Sequence, residues 1–192
     1  MRIAIIGTGF IGTTLARPLA AAGHQVTLGS RHPGTDDPDV ASATVAPVAE
    51  ALEGADVVIL ALPGSKVAVL TAEHGEALEF ALVIDATNQM GQAVPNARAA
   101  LPPSVRYARA FNTLGGENMA DPVFADGPAD LFFSAPEADR ATVEAVIAGV
   151  GLRSVYVGAD QEALIDALFQ LWIALAIGQG RGRRLALRLL EG

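Results

Sequence analysis

The stretch Arg2-Ile3-Ala4-Ile5-Ile6-Gly7-Thr8-Gly9-Phe10-Ile11-Gly12 decides the fold. Residues 2–6 form a short, mostly β-branched run closed by Gly7, and that composition predicts a buried strand. Residues 10–22 have helical composition, with Ile11, Leu15 and Leu19 four apart on one face. Between the two, Gly7, Gly9 and Gly12 keep the spacing G-x-G-x-x-G. The string alone is common; its place after a strand and at the head of a helix gives it meaning. Gly7 permits the tight turn, Gly9 lets a diphosphate approach the backbone, and Gly12 lets the helix pack close to the sheet. The helix N-terminus presents N–H groups to an anion. The stretch thus predicts a dinucleotide crevice in preference to an ordinary glycine-rich turn. A signal peptide, the other reading of an apolar N-terminus with one Arg, leaves the glycine spacing unexplained.

The same alternation continues outward. Pro18 falls inside the first helix, where it removes a backbone donor and predicts a kink, and Gly23 ends the helix. Residues 25–28 read as a second strand and 29–34 as a loop. A short strand at 43–45 and a helix at 47–53 follow. Residues 55–62 are the strongest strand in the chain, stopped by Pro63-Gly64. A helix at 65–79 leads to a strand at 81–85 and then to Ala86-Thr87-Asn88. A helical turn at 94–100 is stopped by Pro102-Pro103, and a strand occupies 104–111. Further strands at 130–134 and 152–157 enclose an amphipathic helix at 137–148. From 160 to 177 the chain reads as helix; Gly178, Gly180 and Gly182 break it before a final Arg/Leu helix. Strands apolar on both faces, alternating with helices, predict an α/β fold: a Rossmann-type doubly wound, mainly parallel sheet. We expect this dinucleotide-binding type of sheet domain over residues 1–158 and a C-terminal helical extension over 159–192.

Composition narrows the function classes. Of 192 residues, 51% are hydrophobic and 18% charged, which excludes a disordered chain. Aromatics make up only 5%, so the core is built from Ala, Val, Leu and Ile. A formal charge of -8 argues against a nucleic-acid partner, whose phosphates need clustered Lys and Arg. The chain has no cysteine, which removes disulfides, thiolate metal sites and Cys nucleophiles. Lys66 is the one lysine, hence the one candidate Schiff-base amine. The most apolar stretch, 163–178, is interrupted by Asp166 and Gln170 and is shorter than the roughly 20 residues of a membrane span. The expected location is cytoplasmic.

The second strand refines the ligand. A crevice for NAD carries Asp or Glu about 20 residues after the glycines, on the ribose hydroxyls. Here Leu28-Gly29-Ser30-Arg31 stands in that place and no carboxylate follows until Asp36. Ser30 and Arg31 offer a hydroxyl and a guanidinium, which suit a 2′-phosphate, and His32 adds a possible donor. The prediction is NADP over NAD.

Joined together in order, Gly7-Thr8-Gly9-Phe10-Ile11-Gly12, Gly29-Ser30-Arg31, Asp85-Ala86-Thr87-Asn88, Ala110-Phe111-Asn112-Thr113-Leu114-Gly115 and the tail Leu171-Trp172-Ile173-Ala174-Leu175-Ala176 resemble one family. It is that of the NADPH-dependent reductases of coenzyme F420, a deazaflavin, with the related NADPH-binding domain of the membrane metalloreductases. The resemblance spans essentially the whole chain. It implies hydride transfer between nicotinamide C4 and the deazaflavin C5. It implies that Thr8, Phe10 and Ile11 lie against the diphosphate, that Ser30 and Arg31 hold the 2′-phosphate, and that Leu62 and Pro63 line the adenosine side. Ala86, Thr87 and Asn88 are implied near the nicotinamide, with Asn112, Thr113 and Leu114 on the acceptor side. One departure stands out: archaeal members carry His-Thr where this chain has Asn112-Thr113, and the metalloreductase-like branch carries Asn-Thr. The family resemblance implies coenzyme F420 as acceptor, and this departure points instead to a flavin such as FMN or FAD or to another molecule.

No acid–base pair is evident. His24, His32 and His74 fall outside the loops expected near a nicotinamide, and no spacing suits a metal site or a serine hydrolase. Ring-to-ring hydride transfer tolerates this, because the accepting ring delocalises the charge. Reduction of a carbonyl or imine more often needs a proton donor. Asn88, Asn112 and Thr113 are the positioning candidates, and no catalytic residue is assigned. Asp85 reads either as a ring-positioning group or as the cap of the turn after it. Arg109 reads as a structural ion pair ahead of an anchor for an anionic acceptor, and Lys66 as a solvated helix residue. Leu164, Leu168, Leu171, Trp172 and Leu175 form an apolar stripe expected at a homodimer interface, with packing on the chain's own sheet as the other reading. Arg181, Arg183, Arg184 and Arg188 form a basic cluster that complements a helix dipole. The expected activity is that of an NADPH-dependent oxidoreductase; the alternatives are a carbonyl or imine reductase and a non-catalytic NADPH-sensing module.

Overall fold

The computed structural model describes residues 1–34, 40, 43–88, 96–190 and 192. The chain divides into two compact units, Met1–Tyr107 and Ala108–Gly192. Asp36 and residues 94–95 lie outside the described residues.

β1 (Arg2–Ile6), β2 (Gln25–Ser30), β3 (Thr44–Pro47), β4 (Val57–Leu60) and β5 (Leu82–Asp85) of the first unit form one sheet with β6 (Arg106–Arg109), which begins in that unit and ends past its last residue. Its order is β3-β2-β1-β4-β5-β6, and β1 pairs in parallel with both β2 and β4. The chain runs outward from β1 to β3, then returns to β4 and runs outward the other way. The order therefore reverses between β1 and β4, and the crevice for a ligand lies at the carboxyl ends of those strands. The sheet is Rossmann-like, as its sequence pattern predicts.

The strands are apolar throughout because both faces are covered. Ala4, Ile6, Val58, Leu60 and Val83 bury one face under α2 (Val48–Leu52) and α3 (Val67–Leu78). Ile3 and Ile5 point to the opposite face, where α1 (Phe10–Ala21) buries Leu15, Ala16 and Leu19. α1 continues through Pro18 and ends in a Schellman motif: Gly23, at φ +87°, donates to Ala20 O at 3.0 Å, and His24 N donates to Leu19 O at 3.1 Å.

Boundaries differ from expectation where tertiary pairing intervenes. β2 extends to Ser30 because Gly29 and Ser30 pair with Ala46 and Pro47 of β3. Gly29 is thus a strand residue instead of loop punctuation; a Cβ there would lie 2.8 Å from Ile6 Cδ1. The helix expected over 65–79 is a 3-10 turn, Gly64–Lys66, followed by α3. That helix breaks at His74 (φ −136°, ψ 20°), beside the helix-weakening Gly75. Of the turn expected at 94–100, Arg98–Ala100 form a 3-10 turn.

The second unit contains α4 (Gly116–Ala120), a short hairpin of β7 (Val123–Phe124) and β8 (Gly127–Pro128), β9 (Asp130–Phe133), α5 (Arg140–Gly149), β10 (Arg153–Tyr156) and α6 (Glu162–Ile173). β9 and β10 were expected to extend the doubly wound sheet; they form a parallel two-stranded sheet of their own. Ser134, just past β9, meets Arg109 in an isolated antiparallel bridge, a geometry that cannot continue a parallel sheet. Arg109 is 0% exposed and its guanidinium reaches Asp166 Oδ1 of α6 at 2.8 Å, so it serves as a structural ion pair.

Two expectations for the tail are corrected. After α6 and a π turn, Ala174–Gly178, residues 181–190 form no helix. Gly180 and Gly182 take positive φ, and other elements capture the backbone groups a helix would use. Asn118 Nδ2 donates to Arg183 O and Leu185 O at 2.9 Å each, and Trp172 Nε1 donates to Leu185 O at 2.8 Å. Leu189 N donates to Asp130 Oδ2 at 2.7 Å. The basic cluster is spent on this strap: Arg183 binds Glu117 at 2.6 Å and Arg184 binds Asp121 at 2.8 Å. The apolar stripe also splits. Trp172 is buried with Ile165, Phe169 and Ala176, whereas Leu164 and Leu171 remain 51% and 45% exposed.

Candidate functional site

The site grows from the turn between β1 and α1. Gly7 has φ +123°, and a Cβ there would run into the Ala61 carbonyl at the end of β4. Gly7 N donates to Gly29 O at 3.1 Å and Ala61 N to Ile6 O at 3.0 Å, which tie the turn to the two neighbouring strand ends. A Cβ on Gly12 would run into the Gly7 carbonyl, so the helix can start this close to the strand only with glycine. Gly9 is different: nothing lies within 4 Å of the place a Cβ would take. Two glycines are demanded by the chain itself; the third leaves open space on the approach to the backbone.

α1 begins at that open space. Its N-cap is Gly9, with no side-chain cap and no acid in the first turn. Thr13 N makes the first helical bond, to Gly9 O at 3.0 Å, so the N–H groups of Phe10, Ile11 and Gly12 precede it without a helical partner. An uncapped helix start with no acid in its first turn favours an anion there.

A cleft of about 400 Å³ adjoins this turn. Of the residues expected at the site, Gly7, Thr8, Gly9, Ser30, Arg31, Leu62 and Pro63 line it together. Phe10, Ile11 and Gly12 lie in the first turn of α1 outside that lining, with the Phe10 side chain 58% exposed. Ala86, Thr87 and Asn88 follow β5 and do not line the cleft. Asn112, Thr113 and Leu114 belong to the second unit, where all three are buried.

Charge in the cleft is uneven. Ser30 Oγ accepts from His32 N at 3.1 Å, which leaves its hydroxyl hydrogen to donate elsewhere. Arg31 and Lys66 both line the cleft, and neither pairs with a carboxylate among the described residues. Glu73, 3.9 Å from His74, is the one carboxylate among the described lining residues. Lys66, Val69, Glu73 and His74 were not expected here. They stand on the turn and helix after β4, and their three- and four-residue spacing was the signal that one face of that helix turns toward the glycine loop.

At the end of β5 the Asp85 carboxylate accepts from Thr87 N at 2.8 Å, and so caps the turn that follows. Among the described residues no group of three His, Cys, Asp or Glu side chains is placed to hold a metal ion. His24, whose imidazole is pushed below its ordinary value by burial and by the N-terminal amine, does not line the cleft.

Residues 2–89 match the family described as NADP oxidoreductase coenzyme F420-dependent. No curated protein matches the chain. Among solved structures, a candidate F420-dependent NADP reductase from Arthrobacter sp. FB24 is similar over 100% of both chains, at 25% identity and a TM-score of 0.83. A hypothetical protein from Sinorhizobium meliloti is similar at 28% identity, covering 100% of this chain and 96% of its own, with a TM-score of 0.72. An imine reductase from Streptomyces aurantiacus shares the fold at 22% identity and a TM-score of 0.70, over 94% of this chain and 68% of its own. Over residues 2–89 the chain is thus similar to the coenzyme F420-dependent NADP oxidoreductases, on a Rossmann-like fold.

Proposed function

We propose that this protein binds NADP(H) in the cleft beside the glycine loop and transfers hydride between it and a deazaflavin (coenzyme F420) or flavin acceptor. The observation that carries the cofactor choice is the pairing of Arg31 and Lys66, two cations without carboxylate partners among the described residues, in one cleft of an acidic chain. The open space at Gly9 and the uncapped start of α1 fit a diphosphate, and the Ser30 hydroxyl with the two cations fits a 2′-phosphate. When bound, NADPH supplies a hydride from its dihydronicotinamide ring. The chain's own part is to bind and orient: the first-turn N–H groups hold the diphosphate, Ser30 and Arg31 the 2′-phosphate, and Leu62 and Pro63 flank the adenosine. We assign Ala86, Thr87 and Asn88 to the nicotinamide side and Asn112 and Thr113 to the acceptor side. Positioning two rings and excluding water is work that needs no acid–base pair.

The acceptor reading rests on the family match and on the Arthrobacter protein, which is similar over the whole of both chains. Direct reduction of an imine or carbonyl is the second reading. It draws on the Streptomyces imine reductase, of which 68% is covered. NADPH oxidation measured with coenzyme F420, FMN, FAD and a panel of ketones and imines separates the two. Tight NADPH binding without turnover on any acceptor supports an NADPH sensor instead. We assign the exposed leucines of α6 to a homodimer interface. Sedimentation at micromolar concentration is expected to show a dimer, and a monomer removes that assignment.

A further inference from the structure

Asp85 closes β5 with a side chain that is 0% exposed. Besides the Thr87 N–H at 2.8 Å, its carboxylate accepts from the Ala97 N–H at 2.7 Å and from the Tyr107 hydroxyl at 2.6 Å. A buried carboxyl group is tolerated in such a place only when hydrogen-bond partners satisfy it, so the acid and these donors hold one another in position. Tyr107 is itself steadied by the Arg98 guanidinium, 5.1 Å above its ring. Thr87 stands two residues past Asp85, so their bond sets the direction in which Ala86, Thr87 and Asn88 leave the sheet.

That direction matters because of where β5 ends. Ile6 pairs opposite Leu60 and Leu60 opposite Asp85, so β1, β4 and β5 end at one level. The end of β5 is two strand spacings, about 10 Å, from the glycine loop, on the side away from β2. β2 carries Ser30, and Arg31 follows it, so a 2′-phosphate there draws the adenosine half of a dinucleotide toward β2. The other half, leaving the diphosphate at β1, runs across β4 toward β5. We infer that Asp85, through its bonds to the Thr87 N–H and the Tyr107 hydroxyl, is a positioning residue for the nicotinamide half of the bound dinucleotide. The inference rests on the NADP(H) reading and extends it to a group that touches no ligand.

The test compares two ligands that differ only at the nicotinamide: NADPH and 2′-phospho-ADP-ribose, which retains the adenosine, both phosphates of the bridge and the 2′-phosphate. Asp85→Asn keeps the size of the side chain but replaces one acceptor oxygen with a donor that faces N–H groups. It is expected to bind the fragment within about twofold of the unaltered protein and NADPH about tenfold more weakly. Bound-state dihydronicotinamide fluorescence is expected to move toward that of free NADPH. Tyr107→Phe removes one hydroxyl and spares the fold; it is expected to lose about threefold for NADPH alone and carries the comparison if Asp85→Asn does not fold. Equal losses for both ligands, or no loss for either, overturn the positioning role. Failure of the unaltered protein to bind NADPH or the fragment overturns the NADP(H) reading and this inference with it, an outcome distinct from the former.

Discussion

Removing Arg31 is the sharpest perturbation of the proposed cofactor site. Arg31 is exposed at the mouth of the cleft and has no carboxylate partner among the described residues. Arg31→Ala therefore strands no buried charge and leaves the fold intact. What it removes is a charge-assisted contact to a 2′-phosphate. Hydrogen bonds to charged groups contribute about 1.5–3 kcal/mol, and exposure with salt screening places this one at the lower end. A loss of about 1.5 kcal/mol is about tenfold in NADPH affinity. NADH lacks the phosphate, so its affinity is expected to stay within about twofold, consistent with the near-neutral effect of most surface substitutions. Lys66→Ala is expected to act in the same direction, and both losses are expected to shrink between about 50 and about 300 mM salt. The assay is a fluorescence titration of each protein with NADPH and NADH. Equal affinity of the unaltered protein for the two, or an Arg31→Ala loss that is the same for both, would refute the assignment of the phosphate to this end of the cleft.

Other expectations follow from the same geometry. Gly9→Ala is expected to fold normally, since its Cβ meets nothing within 4 Å, yet to weaken NADPH binding in titration. Gly12→Ala, whose Cβ runs into the Gly7 carbonyl, is expected to cost about 1–3 kcal/mol in denaturant unfolding. Asp166→Ala leaves the Arg109 guanidinium buried without its carboxylate 2.8 Å away, and is expected to cost about 3–5 kcal/mol in the same assay. The strap is expected to loosen in acid. The Arg183 guanidinium hydrogen-bonded to Glu117 holds that carboxyl below the ordinary value of about 4.5. The stabilisation is therefore complete above 4.5 and is lost as pH falls through the lowered folded value. Trp172, under Arg183 at 5.6 Å, reports the change by fluorescence, and Arg183→Ala is expected to abolish the transition. An unchanged titration in that variant would place the transition elsewhere.

The amino-acid sequence by itself determined the strand, glycine turn and helix from Arg2 to Ala21, and the apolar strands at Val57–Leu60 and Leu82–Asp85. These are local signals: a strand buried on both faces is apolar throughout, and the positions of Gly7 and Gly12 admit no other side chain. The half of the cleft on Ser30 and Arg31 was legible for the same reason, since it lies directly past a strand end. Lys66, Glu73 and His74 were not, because only the order of strands in the sheet brings the helix after β4 against a glycine loop at the other end of the unit's sequence. The tail shows the limit most plainly. Its Arg/Leu composition favours a helix, but the partners of Arg183 and Arg184 are Glu117 and Asp121, 66 and 63 residues away. Long-range hydrogen bonds and ion pairs there outweigh local propensity, which is worth only tenths of a kcal/mol per residue for Arg and Leu. Asp85 joins the two levels. Its place at a strand end was readable from the sequence; its bonds to Thr87, Ala97 and Tyr107, and with them the direction of Ala86–Asn88, were decided by tertiary structure.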